Sequence, residues 1–187
     1  LMLLTGDLGF GVLQSFARDF PNNFINVGIA EQNLAAIAAG MALQSRRVFT
    51  YSIGNFPTLR SLEQIRNDIC YHNLDVTIVS VGAGFSYGQL GMSHFATEDM
   101  AIMRSLPNMS VYCPCDTWEM HGLMDHMVSV KGPKFLRLDK SSGGTKINKS
   151  NSNIEDPRLL RDGRDAVIVT TGAIVGEALK AAEQLAF

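Results

Sequence analysis

Phe24-Ile25-Asn26-Val27-Gly28-Ile29-Ala30-Glu31-Gln32-Asn33-Leu34-Ala35 reads as a short extended run that breaks at a glycine and passes directly into a helix. The helical stretch continues to Leu43 and is apolar on nearly all sides, through Leu34, Ala35, Ile37, Ala38, Ala39, Met41 and Ala42. A helix of that pattern is predicted to be buried rather than half exposed. One strand feeding one buried helix is the repeating unit of a parallel sheet.

Outward from this unit the same grammar recurs. Short β-branched or aromatic runs stand at residues 24–27, 48–53, 76–81, 110–113 and 135–138, with longer helical patterns between most of them. Pro57 suits the first turn of a helix running through Leu62, Ile65 and Ile69 toward Asn73, and another helix is predicted over residues 98–106, ended by Pro107. The expected fold is α/β, a three-layer α/β/α arrangement around a mostly parallel sheet.

Between Lys140 and Pro157 the chain turns rich in Ser, Gly, Asn and Lys and nearly loses its large apolar residues, as linkers and exposed loops do. The predicted division is a domain over 1–140, a linker over 141–164 and the start of a second α/β domain over 165–187. In that last piece residues 166–171 read as a strand, Gly172 as a turn and residues 174–185 as a helix. One such unit cannot bury its own apolar face, so it is expected to rest on further structure or to be a truncated piece.

At 187 residues and 46% hydrophobic residues the chain can form a full core. A formal net charge of -2, with both signs interspersed, gives no basic face for nucleic acid and no polybasic membrane anchor. No apolar run reaches the about 18 residues of a membrane span. The three cysteines, Cys70, Cys113 and Cys115, come with no secretory leader in Leu1 to Leu4, which points to a reducing cytoplasm. Cys113-Pro114-Cys115 without a histidine pair is a poor zinc pattern, and no metal ligand is assigned.

Glu31 carries the chemistry. It sits where a strand becomes a helix with no polar surface around it, a position carboxylates rarely hold for solubility alone. Burial disfavours its charge and the helix N-terminus favours it, so it can be poised to share a proton with a ligand nitrogen. A glutamate that caps its own helix, or pairs with an arginine, satisfies the same position.

Gly28-Ile29-Ala30-Glu31-Gln32-Asn33 with Ala38-Ala39-Gly40-Met41-Ala42 closely resembles the pyrimidine-domain signature of transketolases and deoxyxylulose phosphate synthases. The resemblance extends through Thr5-Gly6-Asp7-Leu8-Gly9, Glu63-Gln64-Ile65-Arg66 and Gly91-Met92-Ser93-His94 with Glu98-Asp99. It continues through Ser105-Leu106-Pro107-Asn108-Met109 and Pro114-Cys115-Asp116, covering roughly residues 5 to 140. The segment after Asp165 is similar to the start of that family's C-terminal domain.

The resemblance implies a thiamine diphosphate-binding pyrimidine domain in which Glu31 hydrogen-bonds N1′ of the cofactor's aminopyrimidine. It implies Phe56 as the ring stacked on that pyrimidine, with Phe49 and Tyr51 in the same wall, ordinary core packing being the alternative for each. His94 matches a histidine that contacts the donor sugar near the reacting carbon. Asp7 matches an acidic residue near the thiazolium, although an Asp in the Gly6-Asp7-Leu8-Gly9 turn also suits local preference. Arg137 resembles an arginine that binds a sugar phosphate, and a salt bridge is its other reading. His72, His121 and His126 have no such match.

The pattern departs from transketolases at two places. Leu90 stands four residues before His94 where the family has aspartate, and Gly82 or a neighbour stands where it has a further histidine. Both normally touch the sugar. The chain also carries no Gly-Asp-Gly motif with a following Asn to hold Mg²⁺ and diphosphate. Cofactor binding is therefore expected to need a diphosphate-binding domain or subunit that supplies the Mg²⁺ ligands, in a homodimer or heterotetramer. The activity implied is a transketolase C-terminal-half subunit moving a two-carbon ketol unit between sugar phosphates. The alternatives are a 1-deoxyxylulose-5-phosphate synthase or a 2-oxo acid dehydrogenase E1 β-like subunit, and, in another class, a non-catalytic assembly partner.

Overall fold

The computed structural model of the protein describes residues 1–140, 153, 154 and 156–185. They form two compact units. The first joins Leu1–Tyr112 to Lys131–Lys140, and the second joins Cys113–Val130 to the described part of Ser141–Phe187.

The first unit is built on a six-stranded sheet of β1 (Met2–Thr5), β2 (Phe24–Asn26), β3 (Val48–Ile53), β4 (Val76–Val81), β5 (Ser110–Tyr112) and β6 (Lys134–Leu138). The order is β2-β1-β3-β4-β6-β5 and every pairing is parallel. Register places Ile25, Leu4, Thr50, Ile78, Phe135 and Val111 in one row across all six strands. That row faces the core.

Helices cover this face. Helix α2 (Glu31–Leu43) presses Leu34, Ala35, Ala38 and Ala39 onto it, and Ile65, Ile69, Cys70 and Met103 complete the cluster. Its Ala, Leu and Met content favours a helix intrinsically, and the small alanines let it lie close to the strands. The smaller helices are α1 (Gln14–Asp19), α3 (Leu62–Gln64) and α4 (Asp99–Ser105). Each parallel crossover returns the chain to the same edge, so Thr5, Ile53, Val81 and Leu138 all end there. Ligands of open α/β sheets bind outside that carboxyl edge.

The strands at 48–53 and 76–81 match expectation residue for residue, and the others differ by one residue at an end. The helix predicted from Pro57 is broken into a 3₁₀ turn at Leu59–Ser61, the single turn of α3 and a π-helix over Ile65–Cys70. The π segment puts Ile65, Ile69 and Cys70 together on the core side. Strand β1 was not foreseen as a strand. It is one because both of its edges are paired, to β2 and to β3.

In the second unit, α5 (Thr117–Ser129) starts at Asp116, whose Oδ1 accepts from the Glu119 N–H at 2.8 Å. Glu119 in turn accepts from the Cys115 N–H at 2.7 Å, so side chains meet two donors at the helix start. Arg158 donates to Glu119 and to Cys115 Sγ and lies over the Trp118 ring. Helix α6 (Val175–Gln184) follows Gly172, whose added β-carbon would stand 2.7 Å from Cys113 Sγ.

Two sequence expectations change here. Residues 166–171 form no strand, because no other strand lies beside them among the described residues to complete a ladder; Val167 and Val169 are exposed. The first unit ends at Lys140, and Cys113–Val130 groups with the later residues. Residues 141–152 and 155 of the predicted linker lie outside the described residues. No described helix is long and apolar enough to cross a membrane.

Candidate active site

Glu31 opens α2, and its carboxylate is 2% exposed. Three local features bring it there. Gly28 takes φ +76, a conformation other residues rarely adopt, and turns the chain out of β2. Ala30 offers no side-chain cap, which leaves the helix N-terminus to the groups around it. Gly6, following β1, has no side chain, and a β-carbon there would stand 3.9 Å from Glu31 Cγ.

The carboxylate is paired. Arg60 Nη1 donates to Glu31 Oε2 at 2.9 Å, and the guanidinium carbon lies 4.2 Å from the centre of the Phe56 ring. Phe56 in turn meets His94 edge-on, with ring centres 5.0 Å apart at 60°. Glu31, Arg60, Phe56 and His94 thus form one connected run beyond the carboxyl ends of β1, β3 and β4. His94 Nδ1 lies 3.0 Å from Ser93 Oγ, and its ring centre is 6.5 Å from that of Tyr87.

Tyr87 sets the edge of its ring against Gly82, where an added β-carbon would meet Cε2 at 2.2 Å. Tyr51 points off β3 toward Gly9, whose added β-carbon would stand 3.1 Å from its ring. Burial raises the Tyr51 phenol above its ordinary range, and the nearby Tyr87 phenol adds to the rise. Two phenols, an imidazole and a carboxylate therefore share this end of the sheet.

Asp7 holds φ +58, which short polar residues tolerate better than others. Its N–H donates to Asn26 Oδ1 at 3.0 Å, Asn26 Nδ2 donates back to Asp7 Oδ1 at 2.9 Å, and the Gly28 N–H also donates to Asn26 Oδ1 at 3.0 Å. One asparagine ties the turn after β1 to the turn before Glu31.

Arg137 is committed to the protein. Its Nε donates to the buried Asp99 at 2.8 Å and its Nη2 to the Ala96 carbonyl at 2.9 Å. Among the sequence-derived residues, Glu31, Phe56 and His94 are brought together, Tyr51 lies beside Tyr87, and Asp7 sits on the Asn26 brace. Sequence reasoning missed Arg60, Asn26 and Tyr87. Only Arg60 left a trace, in its four-residue spacing from Phe56.

Cys115, Asp116 and Glu119 offer ligand atoms within 4.8 Å of one another. The Arg158 guanidinium lies beside them, and burial, reinforced by Glu119 and Asp116 against Arg158, pushes the Cys115 thiol up to about 12.

A buried carboxylate, paired with an arginine that lies over an aromatic ring, thus stands at the carboxyl edge of a parallel sheet. Residues 1–145 match the family described as transketolase, pyrimidine binding domain. The chain belongs to the transketolase family and carries its pyrimidine-binding domain. A Methanocaldococcus jannaschii protein named as a transketolase C-terminal section is 39% identical over 191 residues, covering 99% of this chain and 60% of that protein. The 1-deoxy-D-xylulose-5-phosphate synthase of Bacillus velezensis is 37% identical over 177 residues, covering 92% of this chain and 28% of that protein. A solved structure described as a split gene transketolase, inactive beta4 tetramer, superimposes with TM-score 0.82 at 37% identity, over 98% of this chain and 60% of that one. The chain thus spans 60% or less of these relatives.

Proposed function

We propose that this chain is the cofactor-activating half of a thiamine diphosphate-dependent transketolase, which moves a two-carbon ketol unit between sugar phosphates in a site completed by a diphosphate-binding subunit. The observation that carries the reading is the buried Glu31 carboxylate, joined through Arg60 to a Phe56 ring that itself meets His94 edge-on. An aminopyrimidine needs a carboxylate acceptor at its ring nitrogen and an aromatic surface for its plane, and these residues offer both. The guanidinium of Arg60, planar and rich in N–H donors, already occupies both receptors. The bound cofactor would supply a nucleophilic carbon and an electron sink for breaking a carbon–carbon bond.

This chain's residues have separate tasks. Glu31, buried at the start of α2, would share a proton with N1′ of the pyrimidine. Phe56 fixes the plane. Tyr51, flanked by Tyr87, closes the wall, and Asp7 stands toward the thiazolium with its turn held by Asn26. His94 faces the sugar as a hydrogen-bonding partner near the reacting carbon. Arg137 is assigned a bracing role instead of a phosphate contact, because its donors serve Asp99 and Ala96.

The Mg²⁺ ligands and diphosphate contacts belong to the partner, in a homodimer or heterotetramer. The relative described as split gene supports a separate partner chain. None of the three cysteines forms a disulfide, which supports a cytoplasmic setting. The joint placement of Glu31, Phe56 and His94 favours catalysis over a purely structural role in assembly.

The test is ketol transfer by this chain mixed with a diphosphate-domain subunit, thiamine diphosphate and Mg²⁺, beside Glu31→Gln, with pyruvate as a competing donor. Transfer from a ketose phosphate that collapses in Glu31→Gln supports the reading. Turnover with pyruvate alone would move the chain to the synthase reaction, which the relative from Bacillus velezensis keeps as the second reading.

A further inference from the structure

The partner of Glu31 is unusual in one respect. A carboxylate that is 2% exposed needs a compensating charge, yet the arginine that compensates it is 48% exposed. Arg60 reaches inward from solvent with its guanidinium against the Phe56 ring, 4.2 Å from ring centre to guanidinium carbon. It has no other side-chain partner among the described contacts.

A guanidinium is flat, cationic and edged with N–H donors. An aminopyrimidine is flat and, once it takes up a proton at N1′, presents a cationic N–H to a carboxylate. Both ask for the same two receptors, a carboxylate in the plane and an aromatic face below. The geometry points to Arg60 as a stand-in for the cofactor's pyrimidine: it pairs with Glu31 and covers Phe56 in the cofactor-free protein, and swings into solvent when the cofactor enters. The inference rests on the reading that Glu31 and Phe56 receive the aminopyrimidine.

The energetics fit an exchange. Cofactor binding replaces one donor on Glu31 by another and one stacked plane by another, and an exposed, flexible Arg60 recovers side-chain freedom when released. The ring enters neutral, so release of Arg60 is matched by uptake of one proton from solvent, shared between Glu31 and N1′. The cost of the exchange is a lower apparent affinity, reduced by the fraction of molecules in which Arg60 has moved away.

The test is cofactor binding to this chain assembled with the diphosphate-binding subunit, in wild type, Arg60→Ala and Arg60→Lys, read as thiamine diphosphate Kd, association rate and Tm with and without cofactor. The expected result for Arg60→Ala is tighter and faster binding, by about fivefold, equivalent to about 1 kcal/mol. Tm should fall in the empty protein and stay unchanged in the loaded one. Arg60→Lys keeps the charge without the plane and should fall between.

Weaker binding in Arg60→Ala would make Arg60 a cofactor ligand and overturn the proposal. Equal loss of Tm in the empty and loaded protein, with Kd unchanged, would mean that Arg60 stays on Glu31 throughout, and would also overturn it. Glu31→Gln and Phe56→Ala serve as the separate control. If both bind cofactor as the wild type does, the reading of the site fails, whatever Arg60 does.

Discussion

A β-carbon on Gly54 would stand 2.8 Å from the carbonyl oxygen of His94, closer than real contacts allow. Gly54 also holds φ +53, donates its N–H to the Val81 carbonyl and accepts from Ser80 Oγ at 2.7 Å. The segment carrying His94 is therefore seated on bare backbone at the end of β3. Gly54→Ala meets both a clash and a disfavoured backbone angle, and should lose about 2 kcal/mol of unfolding free energy. Urea melts check the loss, and the His94 imidazole NMR signals should shift in the variant while those of His72 stay in place.

Arg137 separates two readings of one residue. As a brace it satisfies Asp99, which is 2% exposed, and ties the Ala96 carbonyl beside the His94 segment. Arg137→Met should then cost about 3 kcal/mol, since it leaves a buried carboxylate without its partner. KM for a phosphorylated ketose should rise no more than KM for the unphosphorylated sugar. A selective rise for the phosphorylated donor would restore the phosphate contact.

At the opposite edge of the sheet Asp75 is gripped by Lys134 Nζ at 2.7 Å and Arg47 Nε at 2.8 Å. Burial pushes its carboxyl up, but hydrogen bonds and charge from Lys134 and Arg47 outweigh that and hold it below the ordinary value of 3.8. A folded value below the unfolded one stabilises above that ordinary value, and the gain is lost as pH falls through the folded value. Asp75→Asn should cost about 3 kcal/mol at neutral pH, because Lys134 stays buried with its charge. The acid limb of stability against pH should become shallower in the variant.

Burial pushes the Cys70 thiol up to about 11, and Cys115 reaches about 12. Neither should react with a thiol reagent at pH 8 until the protein opens, so their labelling should accelerate with urea in step with unfolding. These raised values contribute stability that is complete below pH 9 and fades as pH rises from about 9 toward 12. Labelling of Cys115 at the rate of an unfolded peptide would refute its burial.

Strands were legible where composition and pairing agree. Val48–Ile53 and Val76–Val81 are β-branched and stand side by side in the sheet, so local preference and tertiary demand coincide. They disagree at the ends of the chain. Met-Leu-Leu-Thr at β1 is weakly β-forming yet is a strand because it lies between two others. Ala-Val-Ile-Val-Thr-Thr at 166–171 has stronger preference but no neighbour. The site divides similarly. Glu31 announced itself by sitting at a strand-to-helix turn, and its pairing with an arginine was one of the readings open at that position. Which arginine could not be read, since the separation of 29 positions between Glu31 and Arg60 is closed only by the fold.

The two outermost strands, β2 and β5, are three residues long, while the inner strands run from four to six. A rim that short exposes too few unpaired N–H and C=O groups to template another chain. Copies of this protein are thereby hindered from joining into continuous sheets, the usual route to fibrils, even though its inner strands have the apolar, β-branched composition on which fibrils grow. Association with any partner is left to side-chain surfaces, whose shape and charge can discriminate one chain from another as a bare backbone edge cannot.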